Sequence, residues 1–269
     1  MNIGFIGSGQ MAQALAAGIA KSTSVQFVVS DPSDASKNAF RNLITPLNCQ
    51  VEEVESNSEV VSKADFVFIA VKPQYLASAL KGFGSEMFSD QHCLISIVAG
   101  VSLVRLQELS GCKRIVRVMP NTPCLIGKGV SAATANDSVS KGQLEQILEW
   151  LGCVGTICQV TEGQLDAVTG VSGSGPAYVY NFIESLSDAG VLNGLPRDVA
   201  QLLAVETVLG AAAMVKESGE HTAILRERVT SPGGTTIAAL KSLEENGLRN
   251  AVMSAVSAAA KRSQELGKA

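Results

Sequence analysis

Asn2-Ile3-Gly4-Phe5-Ile6-Gly7-Ser8-Gly9-Gln10-Met11-Ala12 opens the chain with a short apolar run followed at once by G-x-G-x-x-A. Position gives the pattern its meaning. It follows a predicted strand, Asn2–Ile6, and heads a helical pattern over Gln10–Lys21, where the first turn of a dinucleotide-binding βαβ unit belongs. Gly7 permits a tight turn, Gly9 lets the backbone approach a pyrophosphate, and Ala12 permits close helix–strand contact. The helix N-terminus adds free N–H groups and the positive end of its dipole. Gly7, Ser8, Gly9, Gln10 and Met11 are therefore candidate cofactor-binding residues.

Working outward, β-branched runs alternate with helical patterns, as βαβ units on a parallel sheet require. Strands are predicted at Asn2–Ile6, Val25–Ser30, Gln50–Val54, Phe66–Val71, Cys93–Val98 and Arg114–Val118, with Val130–Thr134 and Val154–Gln159 finishing the sheet. Helices are predicted at Gln10–Lys21, Ser33–Leu43, Ser58–Ser62, Gln74–Lys81, Leu103–Leu109 and Ser140–Leu151. After Thr161 the β-branched runs stop, and Ala-, Leu- and Glu-rich stretches with helical spacing take over. The reading is an α/β Rossmann-like dinucleotide-binding domain over residues 1–160, then an all-α domain over 161–269 for substrate binding and dimerisation. Within the latter, helices start at Gly175-Pro176, Leu195-Pro196-Arg197, after Gly233-Gly234, and at Gly247. Ala204–Val215 and Ala251–Ala260 are so rich in small apolar residues that they point to helix packing across a subunit interface.

Composition removes several function classes. At 269 residues, 46% hydrophobic and 17% charged, the chain is globular and far from the disordered range. Lys and Arg number 21 against 25 Asp and Glu, a net charge of −4, which argues against a nucleic-acid partner. The N-terminus has no basic n-region, and no run approaches the ~18 consecutive apolar residues of a membrane span. The expectation is a cytoplasmic protein with no membrane partner. Cys49, Cys93, Cys112, Cys124, Cys153 and Cys158 form no C-x-x-C pair and read as reduced thiols, several of them in the core.

Further candidates fall at the carboxyl ends of the predicted strands, where ligands of open α/β sheets bind. Asp31 closes the second strand about 20 residues past the glycines, the place of an acid that accepts hydrogen bonds from a ribose 2′-hydroxyl. Before Pro32 it reads equally as a turn-former. Ser30, Ser33 and Asn57 could instead donate to a 2′-phosphate, so NADPH and NADH both stay open. Ala70-Val71-Lys72-Pro73 follows the fourth strand, with Lys72 either at the cofactor or merely a charged loop residue. Ala99-Gly100 follows the fifth and offers bare backbone to a nicotinamide. Asn121, in Met119-Pro120-Asn121-Thr122-Pro123, offers hydrogen bonds to an amide or ribose unless the segment is only a stiff turn. Gly170–Pro176 and Thr230–Thr236 are glycine- and hydroxyl-rich helix starts, each either an ordinary cap or a seat for a substrate carboxylate. The missing groups matter too. His92 and His221 are the only histidines, His221 reads as a cap or a solvent-facing residue, and no metal-ligand spacing is present, so no metal is expected. A C=N substrate needs less acid/base help than a carbonyl, which suits so few titratable groups.

Taken together, Phe5–Ala12, Ala70–Pro73, Met119–Pro123, Ser172–Tyr178 and Val229–Thr236 resemble the pyrroline-5-carboxylate reductase family, over the full length and in the same order. The resemblance implies hydride transfer from NADPH or NADH to the C=N bond of 1-pyrroline-5-carboxylate, giving L-proline in the last step of proline biosynthesis. It implies that Ser231, Gly233, Gly234 and Thr235 hold the substrate carboxylate, with Ser174 also at the substrate, and that Val229 lines the pocket. Thr236 would be the catalytic hydrogen-bond partner or proton donor at the ring nitrogen, and Asn57 would contact the adenosine part of the cofactor. It further implies homodimers with interleaved helical domains, assembling onward, often to decamers. Family members often carry Asn, Ser or Thr where this chain has Asp31, which puts the usual NADPH preference in doubt.

Two other readings compete. A β-hydroxyacid dehydrogenase would match Gly170, Gly173 and Gly175, but Val179 stands where that family has its catalytic Lys and Ile183 where it has Asn. A non-catalytic dinucleotide-sensing subunit predicts a damaged substrate loop, whereas Ser231–Thr236 is intact.

Overall fold

A computed structural model describes residues 1–84 and 86–267. The chain forms two compact units, Met1–Ser174 with Ser257–Ala269, and Gly175–Val256. The strands are β1 (Asn2–Ile6), β2 (Gln26–Ser30), β3 (Gln50–Glu53), β4 (Phe66–Ile69), β5 (Cys93–Ser96), β6 (Ile115–Met119), β7 (Gly129–Ala135) and β8 (Gly155–Gln159). The helices are α1 (Gln10–Ser22), α2 (Asp34–Ile44), α3 (Asn57–Lys63), α4 (Leu76–Ala79), α5 (Leu103–Ser110), α6 (Lys141–Gly152), α7 (Leu165–Val168), α8 (Gly175–Leu192), α9 (Arg197–Ser218), α10 (Thr222–Arg228), α11 (Thr235–Glu245) and α12 (Leu248–Leu266). Lys268 and Ala269, the end of the expected helical domain, lie outside the described residues.

The eight strands form one sheet in the order β3-β2-β1-β4-β5-β6-β7-β8. Neighbours from β3 to β6 are parallel, as the strand–helix alternation predicts. β7, however, pairs antiparallel with β6, and β8 pairs parallel with β7, so the last two strands run against the rest. The reason is the connection. Residues 120–128 between β6 and β7 hold only a 3-10 turn, Thr122–Ile126, and cannot span the crossover that a parallel partner needs. Because β1 to β3 build one way and β4 lies on the other side of β1, the topological switch point falls between β1 and β4.

Strand alternation sorts the core into two faces. Ile3, Phe5, Phe27, Val29, Phe68, Ile95 and Val116 turn to the side covered by α1, α2 and α6. Ile6, Val28, Val67, Ile69, Leu94 and Ile115 turn to the side covered by α3 and α5. Phe5 stacks on Phe68 at 4.8 Å and touches Phe27 and Phe40 at 6.1 and 5.5 Å between ring centroids. Serines start several helices: Ser33, Ser56, Ser102 and Ser140 each accept from the N–H three residues on, and Gln143 completes a capping box with Ser140. The expected helix at Gln74–Lys81 shrinks to a 3-10 turn at Pro73–Tyr75 and the single turn of α4. Pro73 at one end and Gly82 and Gly84 at the other leave it no room to propagate.

Unit 2 is helical, but little of it is buried. Gly190 lets α8 meet α9, because a Cβ there would lie 2.9 Å from the Ala200 Cβ, and Arg197 pairs with Asp188 at 2.6 Å. Leu202, Leu203, Leu209 and Met214 on α9 and Tyr180 on α8 stay exposed. These faces need a cover that a single chain does not supply.

The aromatic cluster yields a stability prediction. Phe5→Ala removes a fully buried ring contacting three others, so it should cost about 3–5 kcal/mol. A urea titration at fixed protein concentration reads this as a lower midpoint; an unchanged midpoint would show that the cluster is not the centre of the core.

Candidate functional site

At the switch point the backbone comes first. Gly7 has φ of +94°, a region open to glycine, and a Cβ there would sit 2.8 Å from the Ala70 carbonyl oxygen at the end of β4. Gly9 differs: it has an ordinary extended conformation, a Cβ there would meet nothing within 4 Å, and it borders the adjoining cleft. The first bond of α1 runs from the Gln13 N–H to the Gly9 carbonyl at 3.0 Å, so the N–H groups of residues 10–12 precede the ladder and stand at the positive end of the helix. The Ser8 hydroxyl is buried without a hydrogen-bond partner, and Gln13 Nε2 donates to the Ser8 carbonyl at 2.8 Å.

The cleft, of about 730 Å³, runs along the carboxyl ends of β1, β2 and β4. Gly7, Gly9, Ser30, Asp31, Asn57, Ala70, Val71 and Lys72 line it, together with several residues not foreseen, among them Asp34, Lys37, Glu55 and Tyr75. Asp31 accepts from the Ser8 N–H through Oδ2 at 2.7 Å and from the Ser33 N–H through Oδ1 at 2.8 Å. It forms the turn, and its carboxylate stays in the cleft wall rather than turning to solvent. The Ser30 hydroxyl donates to Asn57 Oδ1, and Asn57 Nδ2 donates to the Ala79 carbonyl at 2.8 Å. The bare cradle at Gly9, the open helix start and a cleft of this size fit a dinucleotide.

In unit 2, Ser231-Pro232-Gly233-Gly234 forms a tight turn before α11. The Gly234 N–H donates to the Ser231 carbonyl at 3.1 Å, and Gly233 takes φ of +68°, with Pro at the second turn position as a type II turn favours. A Cβ on Gly234 would lie against Ser231 Oγ, which would have to rotate away. As N-cap of α11 it brings no side-chain acceptor, so Thr235 and Thr236 begin the helix with their N–H groups uncapped by a side chain. Upstream, Arg228 makes a fork with both Glu220 oxygens at 2.5 and 2.6 Å, which pins the end of α10 before Val229, itself exposed. His221 is the N-cap of α10, its Nδ1 accepting from the Ala223 N–H at 3.2 Å.

Comparison with known proteins gives this geometry a family. Residues 162–266 match the model described as pyrroline-5-carboxylate reductase dimerisation, and residues 2–100 match NADP oxidoreductase, coenzyme F420-dependent. A pyrroline-5-carboxylate reductase of Synechocystis is 44% identical, covering 100% of this chain and 99% of that protein. The chain belongs to the pyrroline-5-carboxylate reductase family. Among solved structures, the Plasmodium falciparum enzyme with NADP bound is 37% identical with a TM-score of 0.87, covering 99% of this chain and 98% of that one. The Streptococcus pyogenes enzyme is 31% identical with a TM-score of 0.88, covering 98% of each chain.

Within this reductase fold, some candidate residues are occupied elsewhere. Asn121 is tied into the fold: its Nδ2 donates to the Ser172 carbonyl at 3.1 Å and its Oδ1 accepts from the Val130 N–H at 2.9 Å. It ties β7 to a π-helical turn, Thr169–Gly173, that leads to Ser174. Gly100, read as bare backbone for a nicotinamide, also packs closely on the chain: its Cβ would lie 2.9 Å from the Ser263 carbonyl oxygen on the last turns of α12. Ser33 lies outside the cleft wall and spends its side chain capping α2, and Ser8, Gln10, Met11 and Ala99 also lie outside it. Lys37 and Tyr75 were missed, although the turn spacing from Ser33 to Lys37 along a helix that starts at the strand end was a usable signal.

The two glycines make opposite predictions. Gly7→Ala should lower the melting temperature, because it forces a left-handed φ and a contact with Ala70. Gly9→Val should leave the melting temperature nearly unchanged and abolish dinucleotide binding in a fluorescence titration. Wild-type affinity in Gly9→Val would mean that the cofactor does not approach this turn.

Proposed function

We propose that this chain reduces the C=N bond of 1-pyrroline-5-carboxylate to L-proline with NADPH or NADH, the last step of proline biosynthesis. The observation that carries the reading is an open glycine cradle at the β1–β4 switch point in the same chain as an intact Ser231–Thr236 helix start, in a protein 44% identical to a named reductase over its full length.

When bound, the dinucleotide supplies a hydride, whose electron pair forms the new C–H bond while the C=N π pair moves to nitrogen. The protein's residues have the rest of the work. Gly7 and Gly9 and the head of α1 hold the pyrophosphate, and Asp31, Asn57 and Lys72 border the nucleoside and phosphates. Ser231, Gly233, Gly234 and Thr235 receive the substrate carboxylate at the uncapped start of α11, where N–H groups and the dipole favour an anion. The Thr236 hydroxyl is the hydrogen-bond partner of the ring nitrogen and its proton donor when the imine arrives unprotonated. Ser174, Val229, Ala99 and Gly100 complete the proposed set. The alternative hydroxyacid chemistry lacks its acid/base, since Val179 and Ile183 occupy those places on α8.

The exposed faces of α8 and α9 belong to the part matched by the dimerisation model, and we propose that they meet a second copy, with dimers assembling onward to a larger form such as a decamer. α9 is, among the described residues, the one helix long and apolar enough to cross a membrane, but Gln201 and Glu206 interrupt it, and a partner helix satisfies the same surface. A cytoplasmic location accords with six free cysteines.

Purified protein should oxidise reduced nicotinamide only when 1-pyrroline-5-carboxylate is present, followed by absorbance, with a hydroxyacid run in reverse inert. Turnover of the hydroxyacid in place of the imine would reverse the assignment. Thr236→Val should lower kcat about a hundredfold with dinucleotide affinity retained; normal turnover removes Thr236 from the reaction. Leu202→Glu with Leu209→Glu should shift sedimentation toward the monomer while helicity persists, and an unchanged species would place the interface elsewhere.

A further inference from the structure

We propose that the cleft selects NADH over NADPH, with Asp31 as the specificity-determining residue and Asp34 masking the one cation that could otherwise take a 2′-phosphate. This rests on the cleft being the dinucleotide site. Asp31 is locked: its two oxygens accept the Ser8 and Ser33 N–H groups, one from the glycine turn and one from the approach to α2. Each oxygen keeps a further lone pair, so the carboxylate can still accept a hydrogen bond from a ribose 2′-hydroxyl. A 2′-phosphate has at most one proton to donate and carries like charge, and a carboxylate held by two backbone bonds has no easy way to swing aside.

Several donors that a 2′-phosphate could use are already engaged, and those that remain, the second N–H of the Asn57 amide and the Ser33 hydroxyl proton, are neutral. The Ser30 hydroxyl donates to Asn57, the Asn57 amide donates to the Ala79 carbonyl, and the Ser33 N–H goes to Asp31. Ser33 Oγ accepts from the Ser36 N–H as the cap of α2, and Asp34 in the first turn of that helix already answers its dipole. Lys37 lines the cleft with its Nζ 3.0 Å from Asp34 Oδ1. The hydrogen bond to Asp34 holds its ammonium above the usual lysine range, with Glu55 and Glu53 adding to the effect against an opposing cost of burial.

The charges of the cleft wall agree. Asp31, Asp34 and Glu55 face Lys37 and Lys72. Lys37 is taken by Asp34, and Lys72 follows β4, separated from the Asp31 strand by β1. The ribose end is therefore left with Asp31 and Glu55 and no unengaged cation from the cleft wall beside them. Such a wall suits a neutral hydroxyl.

Direct titration of the purified protein with NADH and NADPH, read by nicotinamide fluorescence, tests this without turnover. The expected result is a Kd for NADH at least about tenfold below that for NADPH. Asp31→Asn should narrow the ratio about tenfold or invert it. Because Asn returns only one acceptor to the Ser8 and Ser33 N–H groups, Asp34→Ala serves as a second arm that leaves the glycine turn alone: unmasking Lys37 should shift the ratio several-fold toward NADPH. NADPH binding as tightly as NADH in the wild type, or a ratio unmoved in both variants, overturns the selection while leaving the dinucleotide site standing. Failure of both dinucleotides to bind overturns the site itself.

Discussion

Everything at the cofactor end depends on one close approach, that of the Gly7 backbone to the Ala70 carbonyl where β1 and β4 end side by side. Any side chain at Gly7 would force the two strand ends apart, and with φ of +94° it would also resist the turn that sends the chain into α1. The approach brings three things to one place: the head of α1, the Ala70–Lys72 loop and, through the Gly7 N–H bond to the Ser30 carbonyl at 2.9 Å, the end of β2. A crevice at a switch point is a topological consequence of strand order; its bare backbone is a consequence of two missing side chains.

Asp31 extends the same constraint sideways. Its carboxylate joins the glycine turn to the start of α2, so one residue of the cleft wall holds both segments in place. Charge alone cannot be altered there without disturbing two backbone N–H groups, so the proposed selection of dinucleotide and the geometry of the turn are coupled through a single side chain. The Asp34–Lys37 pair lies one helical turn away and is free of that coupling, which makes it the cleaner lever on the choice of dinucleotide.

The sheet strands and long helices were legible because their periods were strong: alternation at Ile3, Phe5 and Phe27 sorted the faces, and Gly-Pro or Gly-Gly pairs marked helix starts. The direction of β7 was not, because the sign of a strand depends on the length of the connection before it and on a 3-10 turn that a Pro-Asn-Thr-Pro segment only hints at. α10 was also missed; seven residues of ordinary polarity, capped by a histidine, carry too little pattern to stand out. At the site, motif glycines revealed where a backbone is bare but not what fills the space. Gly9 opens on the cleft, whereas Gly100 opens on α12, and only the fold distinguishes them. The same holds for Asn121, whose amide looks free in a proline-stiffened loop and is tied to Ser172 and Val130.

The helical unit depends on a different balance. The sheet unit buries its large side chains within one chain, whereas α8 and α9 leave Leu202, Leu203, Leu209 and Tyr180 facing outward. Apolar surface of that kind is stable in water only when covered, so assembly and the integrity of the helical unit are one equilibrium. The start of α11 belongs to this unit, and with Gly233 left-handed and Gly234 as its N-cap it has no side-chain cap. A helix start left uncapped is poorly satisfied alone and well satisfied by an anion.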